Sequence, residues 1–551
     1  MVQEQEALRE QLSDLQLRTL AYFAIGVASE GSMAGRNVAY KLSFAGSVGN
    51  GIMRPVGNSG FSIGTLQTDL GQHPQVATGL VDAYQAWAAQ QTPSLALSPQ
   101  EREQTIHDLQ RDGNAIRAED GRAPDATIQA NLNHFLASDD GIGFVHEHDR
   151  TQVAHLMRTG DDQQDPGSAL HQLRQTDLYA NASLDDQAKL ATMLMKLENQ
   201  AGRGRYPGVI RSINDGSLQS ADDVKEKIDG MLRNRTVNGE ERPDYIESGV
   251  EHALHGTEVF TLLREADATS PLRAAFDAVS ADPLVNPAML RNDRTPRDAA
   301  HHYDTVKTLF LQSIESPDFI RALDRGGAHA WGRPQPEGGR RVTAGLYASG
   351  NDLVVWNRDG KGHACIDGAW SDVPRTDLTR TRNRDGAIDL GRTRSDGSTT
   401  RLLHVDPRQP PLRALLRDGR SPPANDPLLR QADSAVRRLD QSMGRDFDGF
   451  SACMAASAAC PARRSGLTGI DHIVLSTDNG HVRSGENMFV VQGDMRDPAH
   501  HRAWMRTDEA VRIPVTQSLE ELEQLAQTRQ QQEQVQALDN PQRHMQGPVR
   551  A

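Results

Sequence analysis

The side chains best suited to chemistry lie in one stretch near the start of the chain, Ser29 to Gln72, which is rich in glycine, serine and asparagine. Glu30 and Asp69 are its two carboxyl groups. Cleavage of a glycosidic bond needs an acid that protonates the leaving oxygen and a second group, on the protein or the substrate, that stabilises the cationic centre. The sequence therefore predicts Glu30 as the acid and Asp69 as the second carboxylate, with Gln67 available to position sugar or water.

A helix is predicted to position Glu30. Apolar side chains recur between Leu8 and Val27 at roughly helical spacing, and Glu30 falls where this amphipathic helix runs out. Val27, Ala28 and Met33 are expected to desolvate the carboxyl group and raise its pKa, which a general acid at neutral pH requires. The competing interpretation is an ordinary solvated glutamate at a helix end.

Glycines punctuate the segment that follows Glu30, and they favour tight turns and a small hairpin over a helix. A hairpin here would place a backbone-lined groove beside the carboxyl group. The residues predicted to bind substrate are Asn58, Ser62, Gly64 and Thr65. The sequence Thr-Asp-Leu-Gly around Asp69 is also typical of an aspartate that caps a turn, so that interpretation stays open.

A helix that ends in glutamate, followed by Ser-Gly-Phe-Ser-Ile-Gly-Thr-Leu-Gln, resembles the lysozyme-like superfamily. Lytic transglycosylases of that superfamily carry a glutamate at a helix end and a downstream Gly-x-x-Gln, which here match Glu30, Gly64 and Gln67. The spacing between Glu30 and Gln67 is longer than in that pattern. The resemblance implies a mostly helical lobe that cleaves peptidoglycan glycan strands, as a muramidase or a lytic transglycosylase.

A second motif overlaps the first. The segment Gly60 to Gly64 matches G-x-S-x-G, the nucleophile elbow of serine hydrolases, with Ser62 as the nucleophile. The elbow needs a buried strand before the serine and a helix after it, whereas only one helix and a glycine-rich loop precede this segment. A serine hydrolase acting on lipid is therefore the alternative function for this region.

The composition narrows the classes of function. The chain has 551 residues, 60 Lys and Arg against 74 Asp and Glu, a net charge of −14 and a pI near 5.8, which disfavours nucleic acid as the main target. No run of 18 apolar residues occurs, and the segment Met1 to Arg18 is polar and acidic. Neither a membrane span nor a signal peptide is therefore predicted. Synthesis in a reducing cytoplasm is expected.

The predicted fold class is multidomain α+β. Helices are predicted at Val76–Trp87, Pro99–Arg117, Ser183–Asn199, Ala221–Met231, Ile246–Leu263, Tyr303–Leu323 and Leu519–Leu525, and Ala126–Leu156 is predicted as two helices broken at Asp139-Asp140-Gly141. A strand pair is predicted at Ile470–Leu475 and Asn487–Gly493. The predicted parts are a catalytic lobe at 1–240, a helical region at 241–326, a small antiparallel β module at 327–406, a proline-rich linker at 407–425, a compact α+β unit at 426–536 and a disordered tail at 537–551.

No metal or cofactor is predicted. His146, His148 and Asp149 invite a metal site, but near neighbours on one helix do not converge on one ion, and no HExxH motif occurs. His301 and His302 are expected to be surface or half-buried residues. The three cysteines, Cys365, Cys453 and Cys460, are expected to be small buried side chains, because they are too few and too scattered for a disulfide framework or a zinc knuckle.

The predicted β module offers two further possibilities. Tyr347, Trp356 and Trp370 could stack on sugar rings, although aromatic residues on strands usually belong to a core. A separate activity around His363, Cys365 and Asp367 is the other possibility. Neither is required by the lysozyme-like interpretation.

The segment 426–536 resembles the XVIPCD, the C-terminal recognition domain of antibacterial effectors exported by the type IV secretion system of Xanthomonadaceae and their relatives. The resemblance implies that Asp471, His472 and Asp494 belong to a docking surface and do no chemistry. The hairpin insert Asn479–Glu486 departs from the pattern. The residues that carry the likeness are Pro427-Leu428 with the following helix, Ile470–Leu475, Phe489–Asp494, Asp497–His500, Ala510-Val511, Pro514-Val515 and Gln517-Ser518 before a glutamine-rich end.

The two resemblances explain each other. A secretion domain accounts for a wall hydrolase without a signal peptide, and a lysozyme-like lobe accounts for what such an effector attacks. Together they imply an antibacterial effector made in the cytoplasm of the producer and secreted into the periplasm of target bacteria. The implied partners are peptidoglycan, the coupling ATPase of the secretion system and a cognate periplasmic immunity protein. A protein that binds cell wall without cutting it is the remaining alternative.

Overall fold

The computed structural model describes residues 10–33, 36–161, 165–231, 236–237, 240–241, 245–291, 296–384, 386–394, 396–406, 427–443, 445, 449–477, 482–493, 495, 497, 500–511, 513, 518, 521–522 and 525. The chain divides into two compact units. The first comprises Met1–Ile320, Trp331–Leu346 and Val354–Leu378, and the second Arg321–Ala330, Tyr347–Leu353 and Thr379–Ala551. Helices and several small antiparallel sheets together confirm a multidomain α+β protein.

Helices dominate the first unit. Several begin at a side-chain cap, and Ser13 and Ser98 each form a capping box with the residue three positions later. The α-helices are Asp14–Thr19, Pro74–Ala88, Pro99–Gln110, Gly113–Ala118, Ala126–Ala137, Asp139–Leu156, Ala169–Arg174, Asp177–Asn181, Leu184–Ala201, Tyr206–Asn214, Ala221–Gly230, Tyr245–Glu265, Pro271–Ser280 and Ala299–Leu311, with Ser316–Asp324 beginning in this unit. Short 3₁₀ turns lie at Gly202–Gly204, Pro287–Arg291 and Arg375–Asp377.

The helix Leu20–Glu30, called the Glu30 helix below, runs through the centre of this unit. It is π-helical, and at its end the Gly31 amide donates to the Gly26 carbonyl at 2.6 Å. Every residue from Leu20 to Ala28 is buried, so the prediction of an amphipathic helix is wrong: the helix is apolar all round because protein encloses it. It packs against the helices Asp139–Leu156, Leu184–Ala201, Tyr245–Glu265 and Ala299–Leu311.

Short strands follow the Glu30 helix, as predicted. Phe61–Ile63 is the middle strand of a three-stranded antiparallel sheet, between Ser43–Phe44 and Thr68–Asp69. Two hairpins accompany it, formed by Ser32–Met33 with Arg36–Asn37 and by Gly46–Gly49 with Ile52–Pro55. Phe61 and Ile63 are buried in a core shared with the helices Pro74–Ala88 and Ala126–Ala137.

Most predicted helices lie where the sequence placed them, with two exceptions. The predicted helix Pro99–Arg117 breaks at Arg111 and Asp112, because Asp112 caps a new helix by accepting from the Ala115 amide. The predicted helix Tyr303–Leu323 ends at Leu311, and a second helix begins at Ser316. Two tiny strands, Thr236–Val237 and Glu240–Glu241, pair antiparallel.

Strands replace helices after residue 327, as predicted. They are Ala328–Gly332, Gly345–Ser349, Asp352–Trp356, Gly362–Ile366, Ala369–Asp372, Leu378–Arg382, Ile388–Thr393 and Thr399–Val405. Gly362–Ile366 pairs with Ala369–Asp372, and Ile388–Thr393 pairs with Thr399–Val405. Tyr347 and Trp356 are fully buried, so they are core residues and do not present a platform for sugars.

The C-terminal part of the second unit packs two helices, Pro427–Ser442 and Gly449–Arg464, against one antiparallel sheet. Its strands are His472–Leu475, Asn487–Gln492 and His501–Arg506, followed by the short helix Thr507–Ala510. The first two strands were predicted. The third lies at the sheet edge and exposes 60% of Trp504, so it lacks the buried alternation that identifies a strand from sequence.

Several predicted features lie outside the described residues: the linker 407–425, the tail 537–551, Asp494, and most of the predicted helix Leu519–Leu525. Cys365, Cys453 and Cys460 are buried, as predicted. Among the helices that the structure describes, none is both long and apolar enough to span a bilayer.

Candidate functional site

Glu30 lies at the end of its helix beside a buried cation. Its Oε1 atom is 2.5 Å from Nζ of Lys196, and the side chain of Lys196 is 0% exposed while that of Glu30 is 19% exposed. Asn199 Nδ2 lies 3.4 Å from the same oxygen. The partner of the carboxyl group is therefore an ammonium group, whereas the sequence predicted an apolar shell made by Val27, Ala28 and Met33.

Close helix packing sets this pair in place. Lys196 and Asn199 lie on the helix Leu184–Ala201, which packs against the Glu30 helix. On another side, Gly256 of the helix Tyr245–Glu265 approaches the backbone of Ala24 so closely that an added Cβ would lie 2.8 Å from its Cα atom. The absence of a side chain at Gly256 thus allows the two helices to touch, which fixes the position of Glu30.

Burial acts directly on Lys196. Desolvation lowers the pKa of its ammonium group, and the attraction of the Glu30 carboxylate opposes that shift. An ammonium group with a lowered pKa gives up its proton more readily than a solvated lysine. The Glu30 and Lys196 side chains are therefore placed to exchange a proton over a single hydrogen bond.

A cleft of about 510 Å³ opens at this pair. It contains acidic, basic, amide and aromatic groups, a mixture suited to a polar ligand with apolar ring faces. Its lining residues are Ala28, Ser29, Glu30, Lys196, Gln200, Ser248, Gly249, His252, Leu311, Gln312, Ser313, Ile314, Glu315, Trp331 and Arg358.

The turn Gly64–Gln67 packs behind the Glu30 helix. A Cβ atom added to Gly31 would lie 2.8 Å from the carbonyl oxygen of Thr65, which shows how tightly turn and helix end fit. Gln67 adopts a φ of +51°, and its side chain donates to the carbonyl of Gly64 at 2.8 Å. Thr65 is 1% exposed. The predicted neighbourhood of Glu30 and this turn is therefore present, but the turn residues are held by each other and do not line the described cleft.

Asp69 stabilises the hairpin by accepting hydrogen bonds from backbone amides. Its Oδ1 atom accepts from the amides of Gly71 at 2.8 Å and Gln72 at 3.2 Å, and its Oδ2 atom accepts from the amide of Gly60 at 3.1 Å. Three backbone donors thus use both carboxylate oxygens, as the turn-capping interpretation expects. Asp69 is not among the described residues that line the cleft, so the structure does not bring it together with Glu30 there.

Asn58 and Ser62 also have other roles. Asn58 donates to Asp112 at 2.9 Å and accepts from the amide of Asn114 at 2.8 Å, which ties a loop to a helix start. Ser62 lies inside a strand, opposite Ser43 on one side and Asp69 on the other. A nucleophile elbow requires a strand, a sharp turn and a helix, so the motif around Ser62 is not an elbow in this fold.

A closed polar network lies beneath the turn. Asp149, which is 0% exposed, accepts from the Thr65 amide at 2.9 Å, and burial raises its pKa to about 6. His146 Nε2 lies 2.7 Å from the Tyr40 hydroxyl, which accepts from Lys307 at 3.1 Å. Burial lowers the pKa of His146 to about 3 and that of Lys307 to about 8.

His148 takes yet another partner, the Thr68 hydroxyl at 2.7 Å. His146, His148 and Asp149 therefore reach three different sets of groups and do not converge on a common point, as the sequence predicted. Burial lowers the pKa of His148 to about 4, so both histidines are neutral near pH 7.

Among the residues of the pair and the cleft that were not predicted are Lys196, Asn199, Glu315 and Trp331. Lys196 carried a signal in the sequence, because it interrupts the apolar run Met193–Leu197 and a lysine at a buried helical position needs a partner. Asn199 lies on the same helix as Lys196, and only the folded chain brings Glu315 and Trp331 to the cleft of Glu30.

Comparison with known proteins identifies one region of the chain. Residues 418–524 match the family model described as X-Tfes, XVIPCD. No curated protein and no solved structure matches the chain. Within the matched segment, Asp471 accepts from the Gly493 amide at 2.7 Å and so closes a turn at the sheet end, while His472 is exposed. The match at its C-terminal end supports the assignment of this protein as a type IV secreted effector.

Proposed function

We propose that the effector cleaves the glycan strands of peptidoglycan in rival bacteria, as a muramidase or a lytic transglycosylase, with Glu30 as the general acid. The observation that carries the proposal is the 2.5 Å contact between Glu30 and Lys196 at a cleft of about 510 Å³. A general acid must be fixed, partly desolvated and reachable by substrate, and Glu30 at 19% exposure meets these three conditions.

In this mechanism Lys196 supplies the proton that Glu30 delivers. The Lys196 ammonium group passes a proton to the Glu30 carboxylate over the hydrogen bond between them, and Glu30 gives that proton to the glycosidic oxygen as it leaves. Glu30 is then again a carboxylate and Lys196 a neutral amine, which regains its proton from the water or sugar hydroxyl that attacks the cationic centre. The lowered pKa of Lys196 favours that transfer. General acid catalysis of this kind typically contributes about 10² to 10⁴ in rate.

The cleft also offers groups for the rest of the substrate. Trp331 presents a partly exposed ring on which a sugar face can stack, and Arg358 can pair with a carboxylate such as those of peptidoglycan stems. Glu315 is the candidate second carboxylate, in place of Asp69. If the substrate's own acetamido group stabilises the cationic centre, no second carboxylate is needed. Attack by water on that centre then gives a reducing end, whereas attack by the sugar's own 6-hydroxyl gives the anhydro end of a transglycosylase product.

The test is digestion of purified sacculi by the full chain, followed by mass analysis of the soluble products. An anhydro end and a reducing end differ by one water, so the product mass separates transglycosylase from hydrolase. Glu30→Gln should lower the initial rate at least about 10²-fold without altering the fold. Glu147→Gln is the matched control, since that side chain is 75% exposed, and it should keep the parent rate.

Other outcomes separate the alternatives. Parent-level digestion by Glu30→Gln would overturn the role of Glu30. A chain that sediments with sacculi but releases no product would instead be a cell-wall-binding effector. Release of fatty acid from phospholipid vesicles would favour the serine hydrolase alternative, for which Ser62→Ala is the corresponding variant.

Delivery is proposed to follow from the XVIPCD segment. It would engage the coupling ATPase of the secretion system, and the toxin would act in the periplasm of the target, where a cognate immunity protein protects the producer. A chain ending at Arg417 should lose secretion and co-culture killing while it retains digestion of sacculi in vitro. Secretion of that shortened chain at parental levels would contradict the assignment.

A further inference from the structure

We propose that His301, His363 and Asp372 form a binding site for one divalent transition-metal ion, separate from the Glu30 cleft. One ligand atom from each of the three residues lies within 4.8 Å of the others. Asp372 Oδ1 is 3.2 Å from His363 Nδ1 and 3.5 Å from His301 Nε2. These groups come from a helix and a hairpin of the first unit.

The fold fixes this arrangement. His363 and Asp372 face each other across the antiparallel strands Gly362–Ile366 and Ala369–Asp372, and His301 lies on the helix Ala299–Leu311 that packs against them. Trp370 stacks on the His301 ring, with an interplanar angle of 10°. The imidazole of His301 is therefore held in orientation by packing, as a preformed ligand set requires.

Both histidines have a carboxylate on their far side. His363 Nε2, which points away from Asp372, lies 3.5 Å from Asp304 Oδ2, and His301 Nδ1 lies 3.7 Å from Asp298 Oδ1. Metal-binding histidines commonly direct their second ring nitrogen at a carboxylate, which orients the ring and makes the metal-binding nitrogen more basic. Asp304 occupies this position for His363, and Asp298 occupies it for His301.

His363 is buried between two carboxylates, and this burial also points to a bound ion. Its side chain is 3% exposed, and neither of its ring nitrogens makes a hydrogen bond of ordinary geometry among the described residues, although each faces a carboxylate oxygen. A buried polar group that lacks such a bond costs about 1–3 kcal/mol. A metal ion bound at Nδ1 would satisfy that nitrogen and draw the ligands into a common geometry.

The distances fit a small ion. Zinc binds nitrogen and carboxylate oxygen at about 2.0–2.2 Å, so two ligands of a tetrahedral site lie roughly 3.3–3.5 Å apart. The separations of 3.2 Å and 3.5 Å match that edge. Two imidazoles and one carboxylate favour Zn²⁺, Fe²⁺ or Co²⁺ over Ca²⁺ and Mg²⁺, which prefer oxygen ligands. Asp372 is 70% exposed, so a fourth position on its side is open to water.

A second cluster of histidine and acidic residues shows what distinguishes this one. His107, Asp108 and Glu119 also lie close together, but Arg122 contacts both carboxylates and Arg111 adds further contacts. Two guanidinium groups already neutralise those acids. In the cluster at His301, the groups that contact the carboxylate of Asp372 are histidines. A neutral imidazole can bind a metal ion, whereas a guanidinium group cannot.

The test is titration of the chelator-treated full chain with Zn²⁺ by calorimetry and with Co²⁺ by visible absorption. One equivalent should bind, and Co²⁺ should give the intense bands of a four-coordinate site. Asp372→Ala and His301→Ala should each weaken binding by more than about 100-fold, and Asp304→Asn by about 10- to 100-fold. Asp372→Ala is the safest variant for folding because its side chain is mostly exposed.

The matched control is His107→Ala, which removes an imidazole from the second cluster and should leave the affinity unchanged. Zn²⁺ should also raise the melting temperature of the parent and not that of Asp372→Ala. Lack of saturable Zn²⁺ binding, or equal affinity in Asp372→Ala and the parent, would overturn the proposal. Equal affinity for Ca²⁺ would overturn the proposed metal class.

Discussion

The Glu30 cleft and the Asp149 network are two groups of charged side chains inside the same unit, and they differ in access to solvent. Each contains a buried lysine, Lys196 in one and Lys307 in the other. In the cleft, Lys196 meets a carboxylate that is partly exposed beside a cavity. In the network, Asp149 is 0% exposed and bonds to the backbone of the turn that packs behind the Glu30 helix.

The difference shows why a strongly shifted pKa alone does not identify a catalytic group. Burial raises the pKa of Asp149 to about 6, a value typical of a general acid, yet a substrate cannot reach a side chain with no exposed surface. Asp149 supports the turn, whereas Glu30 has the exposure that the proposed chemistry requires. Exposure to solvent, and therefore to substrate, distinguishes Glu30 from Asp149.

The largest effect is expected at Lys196, the residue proposed to supply the proton that Glu30 delivers. Lys196→Met keeps the length of the side chain but removes the ammonium group that contacts Glu30. Digestion of sacculi at pH 7 should fall by at least about 10²-fold, because the acid must then take its proton from solvent. The remaining activity should rise as the pH falls. Rates at pH 5, 6 and 7 measure this.

Urea denaturation provides the control for Lys196→Met. Lys196→Met leaves Glu30 without its cation, so the double variant Glu30→Gln with Lys196→Met should unfold at a higher urea concentration than Lys196→Met alone. Parent activity in Lys196→Met, with a parent pH profile, would remove Lys196 from the mechanism.

A smaller effect, on stability, is expected at Asp149. Its pKa is raised from 3.8 to about 6 in the folded protein, so between these values the folded state binds more protons than the unfolded state. Stability therefore falls as pH rises through this window, by about 3 kcal/mol for this group. Asp149→Asn keeps an oxygen that can accept from Thr65 and has no charge to desolvate.

The measurement is urea denaturation of the parent and Asp149→Asn from pH 4 to pH 7. The variant should gain stability relative to the parent as pH rises, and the difference should level off above about pH 6.5. All other titrating groups are common to both proteins, so they cancel in the difference. Two parallel profiles would show that Asp149 does not lose a proton to solvent in this range.

The sequence predicted much of this fold because local patterns carried it. Apolar spacing located most helices, and the glycine-rich segment after Glu30 correctly indicated short strands. The Glu30 helix was placed correctly but misjudged as amphipathic, because a helix enclosed on all sides has no polar face to read. The cleft could not be predicted in full, since Lys196, Glu315 and Trp331 meet Glu30 only through packing of distant elements.

The same limit applies to the hairpin. The presence of Glu30 and Asp69 in one glycine-rich stretch suggested a carboxylate pair. An aspartate in a Thr-Asp-Leu-Gly turn, however, has nearby backbone amides as competing partners, and Asp69 binds three of them. Hydrogen bonds from nearby backbone amides occupy the Asp69 side chain, so it does not form the long-range pair with Glu30. His363 and Asp372 met through strand register, which the sequence predicted only as a β module.

A moderate loss of stability is expected from Gly64→Ala. Gly64 has a φ of +85°, and an added Cβ would lie 2.9 Å from Asp149 Oδ1. The left-handed backbone costs about 1–2 kcal/mol for an alanine, and the contact with a buried carboxyl group adds to it. Gly216→Ala is the matched control, because Gly216 has a φ of +78° and open space at its Cβ position.

Urea denaturation should therefore rank the parent above Gly216→Ala and Gly216→Ala above Gly64→Ala. The difference between the two variants, about 1 kcal/mol, measures how firmly the network holds the turn. Equal losses in the two variants would mean that the network relaxes around the added methyl group, and that it does not fix the turn behind Glu30.

The smallest effect on activity is expected at Asp69. Asp69→Asn can keep the bonds from Gly71 and Gln72 but offers an amide group where Gly60 needs an acceptor, so a loss of about 1 kcal/mol in stability is expected. The rate on sacculi should stay within about twofold of the parent, since general acid or nucleophile roles would cost far more. The rate of Glu315→Gln in the same assay tests whether Glu315, which lines the cleft, is the second carboxylate. A fall at Asp69 as large as that of Glu30→Gln would return Asp69 to the catalytic set and would require the hairpin to move toward the cleft when substrate binds.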